Sequence, residues 1–176
     1  MTRPVLRLRP FDLSDATTVV PWLDSPGIGL PPGSARERWA ERLLVDPRVQ
    51  AWMAVRPSSG AMLARMTSPD ADPGDELVEV GFVRLDTGPD RVAELTLAVA
   101  PLWRRTGIGN EILSLVLRRC QATRVRRLQA VVDPNNRPGI GFFRESGFED
   151  SGQCGGAVRF VLWIHETDPH AIEIEG

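Results

Sequence analysis

The chain has 176 residues, 42% hydrophobic and 25% charged, with a formal net charge of −2. That length accommodates one domain with a substantial core, here residues 1–176, and the near-neutral balance excludes a nucleic-acid partner held by global charge. No run approaches the roughly 18 apolar residues that cross a bilayer, and the alternating start VLRLR lacks the continuous apolar stretch of a secretory leader.

Residues 5–9 alternate with period two and read as a strand, after which Ser14 is placed to cap a short helix through Trp22. DSPGIGLPPG, residues 24–33, reads as a loop, and Ser34 as the cap of a second helix, ARERWAERLL, that Asp46-Pro47 closes. A strand follows at 49–56, then a proline- and glycine-rich connection over 57–75. Two further strands, 77–85 and 91–100, flank DTGPD, a hairpin turn. From Gly107 the pattern becomes helical, with Ile108, Ile112, Leu115, Val116 and Leu117 recurring through Cys120. A strand at 127–133 and a helix at 137–146, ended by Gly147, precede a hairpin around Gly155-Gly156. The tail, 166–176, is expected to fray. Hairpin strands leading into strand–helix–strand–helix–hairpin predict a mixed α/β domain around one sheet.

The stretch APLWRRTGIGNEIL, 100–113, carries the clearest chemistry. A helix start leaves N–H groups without intrahelical acceptors and favours an anion. Glycines at its mouth let a bulky phosphate reach the backbone, and Arg104 and Arg105 add positive charge. A Rossmann fingerprint is excluded because position 112 is isoleucine and residues 102–104 intervene after Pro101. A P-loop needs lysine, and all 21 basic residues of this chain are arginine. The sequence also contains no tyrosine.

ELTLAVAPLWRRTGIGN, Glu94 to Asn110, resembles the signature of the GNAT superfamily of acyl-CoA-dependent N-acyltransferases, Q/R-x-x-G-x-G/A, at Arg104, Gly107 and Gly109. NRPGIGFFRESGF, Asn136 to Phe148, is similar to that superfamily's second block, N-x-x-A-x-x-[FL]-Y-x-x-x-G-F. The resemblance implies an α/β GNAT-like fold: a central mixed, mostly antiparallel sheet with flanking helices and a V-shaped splay between the fourth and fifth strands. It implies acetyl-CoA as cosubstrate, with pantetheine on main-chain groups near Leu97 and Val99. The pyrophosphate would sit on the N–H groups of Arg105, Thr106, Gly107, Ile108, Gly109 and Asn110, and Asn136 would touch the cofactor arm. Phe143 stands where that superfamily carries the tyrosine that protonates the leaving thiolate.

An alkyl ammonium has a pKa near 10.4, so at neutral pH roughly one amine in a few thousand can attack a thioester. A carboxylate can take the proton directly or through water. Glu94, at the start of the strand leading to the glycine loop, is the first candidate and Glu79 the second. The expected function is acetyl transfer to a small-molecule or peptide amine. The alternative, motivated by Phe143, is an acyl-CoA-binding domain without turnover. Asp133 reads as a turn residue, and Cys154 as structural or cleft-lining. The arginines from 118 to 127 read as a solvated helix end, the acidic run 70–76 as a solvated loop and the five tryptophans mostly as core. His165 and His170 have no metal-ligand spacing, so no metal site is expected. Two cysteines make no disulfide framework, which gives a cytoplasmic expectation. The resemblance also makes a homodimer an expectation, since dimers are frequent in that superfamily.

Overall fold

The computed structural model describes residues 6–23, 38–58 and 77–164. The loop at 24–33, the cap at Ser34, the acidic run 70–76 and the tail with both histidines lie outside the described residues. Seven strands form one sheet: β1 (Arg7–Pro10), β2 (Val49–Pro57), β3 (Leu77–Thr87), β4 (Val92–Val99), β5 (Arg127–Val132), β6 (Glu149–Cys154) and β7 (Ala157–Trp163). Their spatial order is β1-β2-β3-β4-β5-β7-β6. Every neighbouring pair is antiparallel except β4–β5, which is parallel. A parallel pair needs a crossover, and here α3 (Ile108–Ala122) makes it. The other helices are α1 (Ala16–Leu23), α2 (Trp39–Val45) and α4 (Arg137–Glu145).

Strand alternation sends side chains to two separate cores. One face packs Val83, Leu95, Leu128 and Phe160 against Ile108, Ile112 and Val116 of α3 and Phe143 of α4. The opposite face packs Met53, Val55 and Phe82 against Val19 and Trp22 of α1 and Trp39 and Leu43 of α2. Each such side chain contributes about 1.5–3 kcal/mol when fully buried. Phe11, Trp39 and Phe82 add a tilted and edge-on trio, with ring centroids 5.5–5.8 Å apart. Leu113 is a buried member of the α3 stripe, whereas Leu115 and Leu117 are only half-buried.

The first helical segment starts differently from the sequence expectation. Its cap is Asp12, whose Oδ1 accepts from the Ser14 N–H at 2.9 Å, while Asp15 Oδ2 accepts from the Asp12 N–H at 2.8 Å. This is a capping box with aspartate in both roles, and Ser14 sits inside it. The box begins a 3₁₀ turn, Leu13–Asp15, that leads into α1. Asp15 is buried and receives both Nη atoms of Arg9 at 2.7 Å, and this bidentate bond holds its carboxyl below the ordinary aspartate range. A group whose folded pKa is depressed stabilises the fold above the unfolded value, about 3.9. That stabilisation is lost as pH falls through the lower folded value. Asp15→Asn is therefore expected to cost about 1.5–3 kcal/mol at pH 7. Its melting temperature should converge on that of the parent as the pH of the melts is lowered below 4.

Candidate functional site

The parallel ladder between β4 and β5 is short. It pairs Val92 with Arg127, Ala93 with Leu128 and Glu94 with Gln129, and no further pair follows among the described residues. Beyond that point β4 continues to Val99 paired only with β3, and β5 to Val132 paired only with β7. The two strands therefore part in a V whose apex is Glu94, as the family resemblance implies. Val92 O accepts from Gly88 N–H and Ala100 N–H donates to Val80 O, both at 2.9 Å. Even-numbered residues of β4 thus turn their main-chain groups to β3, and odd-numbered ones turn them to β5. Arg126 N–H donating to Arg91 O at 2.9 Å fits the same parity. Leu97 and Val99 consequently present N–H and C=O groups to the open gap. The Val99 carbonyl already accepts from Arg104 Nε at 3.1 Å, which ties the loop to the strand end.

After Val99 the chain makes a 3₁₀ turn, Pro101–Trp103, and enters α3 through the exposed run Arg104–Gly107. Thr106 Oγ1 donates to Trp103 O at 2.6 Å and steadies this entry. Arg105 (φ 62°) and Gly107 (φ 89°) both adopt the left-handed conformation, an alternation that makes a concave row of amides. The N–H groups of Arg105, Thr106, Gly107, Ile108 and Gly109 have no acceptor among the described residues. The Asn110 N–H, expected in the same cradle, instead donates to Gly107 O at 3.1 Å, because it already belongs to the first turn of α3.

The two glycines serve different ends. At Gly107 an added Cβ would meet nothing within 4 Å, and the positive φ is what requires glycine. The loop is exposed at this point, which leaves room for a diphosphate. At Gly109 a Cβ would come within 3.0 Å of the Phe142 ring, so this glycine lets α4 close against the start of α3.

The carboxylates are well separated. Glu94 is half-buried and lines a recess of about 250 Å³ with Asp86, Gly88, Asp90, Val92, Arg127 and Gln129. A bulge at Val80 shifts the register so that Glu79 pairs with Val55, where an unbroken ladder would place it opposite Arg56. It stands seven residues along β3 from Asp86, the partner of Glu94, roughly 24 Å at about 3.4 Å per residue. Its Oε1 accepts from Arg9 Nη2 at 3.3 Å.

Asn136 caps α4, its Oδ1 accepting from Gly139 N–H at 3.0 Å. Phe143 is buried, stacked on Phe160 at 5.8 Å and edge-on to Phe148 at 5.0 Å. It thus belongs to the apolar core beneath α4. Asp133 accepts from the Asn135 N–H at 2.7 Å, as a turn residue does. Cys154 lies on the outer strand β6, two strands from the gap, with Sγ accepting from Arg159 Nη2 at 2.9 Å. It does not line the cleft. Trp22, Trp39 and Trp52 are buried. Trp103 is half-buried and lies under Arg56, with the guanidinium carbon 4.8 Å from the ring. Trp163 departs from the core expectation, being 56% exposed because no helix covers that face of β7 among the described residues. No group of three His, Cys, Asp or Glu side chains is arranged to hold a metal among the described residues. No described helix is long and apolar enough to cross a membrane.

Comparison with known proteins agrees with this geometry. Residues 46–148 match the acetyltransferase (GNAT) family profile. An L-2,4-diaminobutyric acid acetyltransferase of Methylotuvimicrobium alcaliphilum is 31% identical over 104 residues, which are 57% of this chain and 59% of the relative. The match therefore spans about three fifths of that protein's length. A domain from Methanocaldococcus jannaschii superposes with a TM-score of 0.69 at 15% identity, covering 90% of this chain and 97% of that one. The spermidine N-acetyltransferase of Vibrio cholerae, solved with CoA and spermine, gives 0.67 at 14% identity, covering 91% and 96%. At such identities the superpositions establish a shared fold.

Proposed function

The chain belongs to the acetyltransferase (GNAT) family, and from that premise we propose that it transfers an acetyl group from acetyl-CoA to a primary amine by direct attack in a ternary complex. The observation that carries this reading is the row of five unpartnered amides from Arg105 to Gly109, continuous with the open edge of β4. A diphosphate fits there on charge and on space: the helix dipole favours an anion, and nothing stands over Gly107. The edge from Val99 to Glu94 runs roughly 17 Å at about 3.4 Å per residue, and leads an extended arm from the helix mouth to the apex. The acyl donor supplies an activated thioester when bound.

In this reading the protein orients and deprotonates. Glu94 takes the ammonium proton, and the main chain of Leu97 and Val99 aligns the arm. The leaving thiolate, with a thiol pKa near 8.5, departs without a side-chain acid, since Phe143 offers none. The relatives named above carry diaminobutyrate and spermidine in their names, which supports a small amine acceptor here. The buried apolar setting of Phe143 favours one second reading, coenzyme binding without turnover. Free-thiol release from acetyl-CoA across a panel of primary amines tests both. Amine-dependent release supports acetyl transfer, and binding of CoA with no release from any amine supports the second reading.

A further inference from the structure

The recess at the apex carries both signs of charge. Asp86, Glu94 and Gln129 stand in one row across β3, β4 and β5, and so share a sheet face. Arg127, paired with Val92, lies one repeat along β5 on that same face. Asp86 is already engaged by Arg84 Nη2 at 2.9 Å. Arg127 is not: its guanidinium carbon lies 5.3 Å from the Trp163 ring centroid, and its buried Nε has no hydrogen-bond partner. Arg84 and Arg159 also bury Nε, but each has an Nη2 bonded, to Asp86 and Cys154 respectively. Arg127 makes no hydrogen bond or ion pair among the described residues.

A guanidinium seated over an indole, with donors left over, is preorganised for a planar oxyanion. Leaving buried donors unmatched is unfavourable, so a bound carboxylate would satisfy what the protein does not. Across the recess Glu94 has no cationic partner within salt-bridge distance among the described residues, and the exposed Asp90 also lines it. A pure polycation would place an ammonium against Arg127, where like charges repel. A volume of about 250 Å³ is below the ~300–1,000 Å³ of drug-sized pockets, which suits a small molecule.

We propose that the acceptor is a small amine that also carries a carboxylate, with Arg127 holding the carboxylate and Glu94 facing the amine. This rests on the acetyl-transfer reading and names its substrate class. Matched pairs that differ only by one carboxylate test it: ornithine with putrescine, lysine with cadaverine, and 2,4-diaminobutyrate with 1,3-diaminopropane. The carboxylated member of at least one pair should have a kcat/KM at least tenfold higher. Arg127→Gln should raise KM for that member tenfold or more with a much smaller change in kcat, and Arg127→Lys should recover part of the loss. Melting temperatures of both variants are measured alongside, and if either fails to fold the parent's preference within the pairs decides. Diamines used as well as their carboxylated twins would overturn the proposal while acetyl transfer stood. So would an Arg127→Gln loss in kcat shared by both members. Absence of thiol release with every amine tested would overturn it too, together with the acetyl-transfer reading, and a CoA titration would then tell whether coenzyme binding falls with them.

Discussion

Gly107→Val is expected to raise the dissociation constant for coenzyme A at least a hundredfold, equivalent to about 2.7 kcal/mol. Gly107 occupies φ 89° at the entrance of α3, a conformation that costs an ordinary L-residue roughly 1–2 kcal/mol and a β-branched one more. The variant has two ways to respond, and both damage the cradle. Either the loop rotates out of the left-handed conformation and turns its amides away, or the isopropyl group stands in the open space above them. The fold itself should survive. A strain of one or two kcal/mol lowers the melting temperature by roughly 2–8 °C in a chain of this size, because this exposed loop contributes only Ile108 to the core. Gly141→Ala is the control. Gly141 lies inside α4 without a positive φ, and its Cβ would meet nothing within 4 Å, so coenzyme affinity should stay within twofold of the parent. Calorimetric titration with CoA, paired with thermal melts, separates loss of the cradle from loss of the fold.

Glu94→Gln is expected to lower kcat by about 10²–10⁴, the range for a positioned general base, with coenzyme affinity unchanged. The sign of the pH dependence distinguishes a base from a merely structural carboxylate. Without the base, attack depends on amine that is already neutral in solution. That fraction rises tenfold per pH unit up to the amine's own pKa, near 10.4. The deficit should therefore be largest at low pH and shrink steadily towards pH 10. A constant deficit across the range would assign Glu94 a positioning role instead. Glu79, whose carboxylate is bonded to Arg9, should show no such pH-dependent deficit when changed to glutamine. Because it belongs with Arg9 and Asp15 to the junction of β1, β3 and the turn before α1, its loss should register in the melts.

The sequence made local features legible and long-range ones far less so. Period-two runs and the DTGPD turn located β3 and β4, and the apolar stripe from Ile108 located α3, because these patterns are written within one element. The glycine pair was readable as a helix mouth, yet its division of labour was not. Gly109 is shaped by the ring of Phe142, more than thirty residues away. Asp12 and Ser14 both carry capping side chains, and the cap is Asp12. The acidic partner three residues on, Asp15, was the available signal, since a capping box is defined by that spacing. The family resemblance implies that Asn136 touches the cofactor arm, and the fold adds a second task that the motif does not display, since its Oδ1 caps α4. Arg127 looked like one more residue of a basic cluster at a helix end. Its distinct setting comes from Trp163 on β7 and Glu94 on β4, brought beside it only when the sheet forms. The bulge at Val80, which sets the direction of Glu79, has one mark in the strand pattern, the neighbouring Gly81, since an isolated glycine within a strand signals a bulge or a close approach.

If main-chain amides at the start of α3 hold the diphosphate of the donor, coenzyme A against pantetheine is the direct comparison. Both molecules share the thiol-bearing arm that would lie along Leu97 and Val99, and only one carries phosphates. Calorimetry should give saturable heat with coenzyme A and an affinity for pantetheine weaker by at least a hundredfold. Equal affinities, or no heat with coenzyme A, would contradict it.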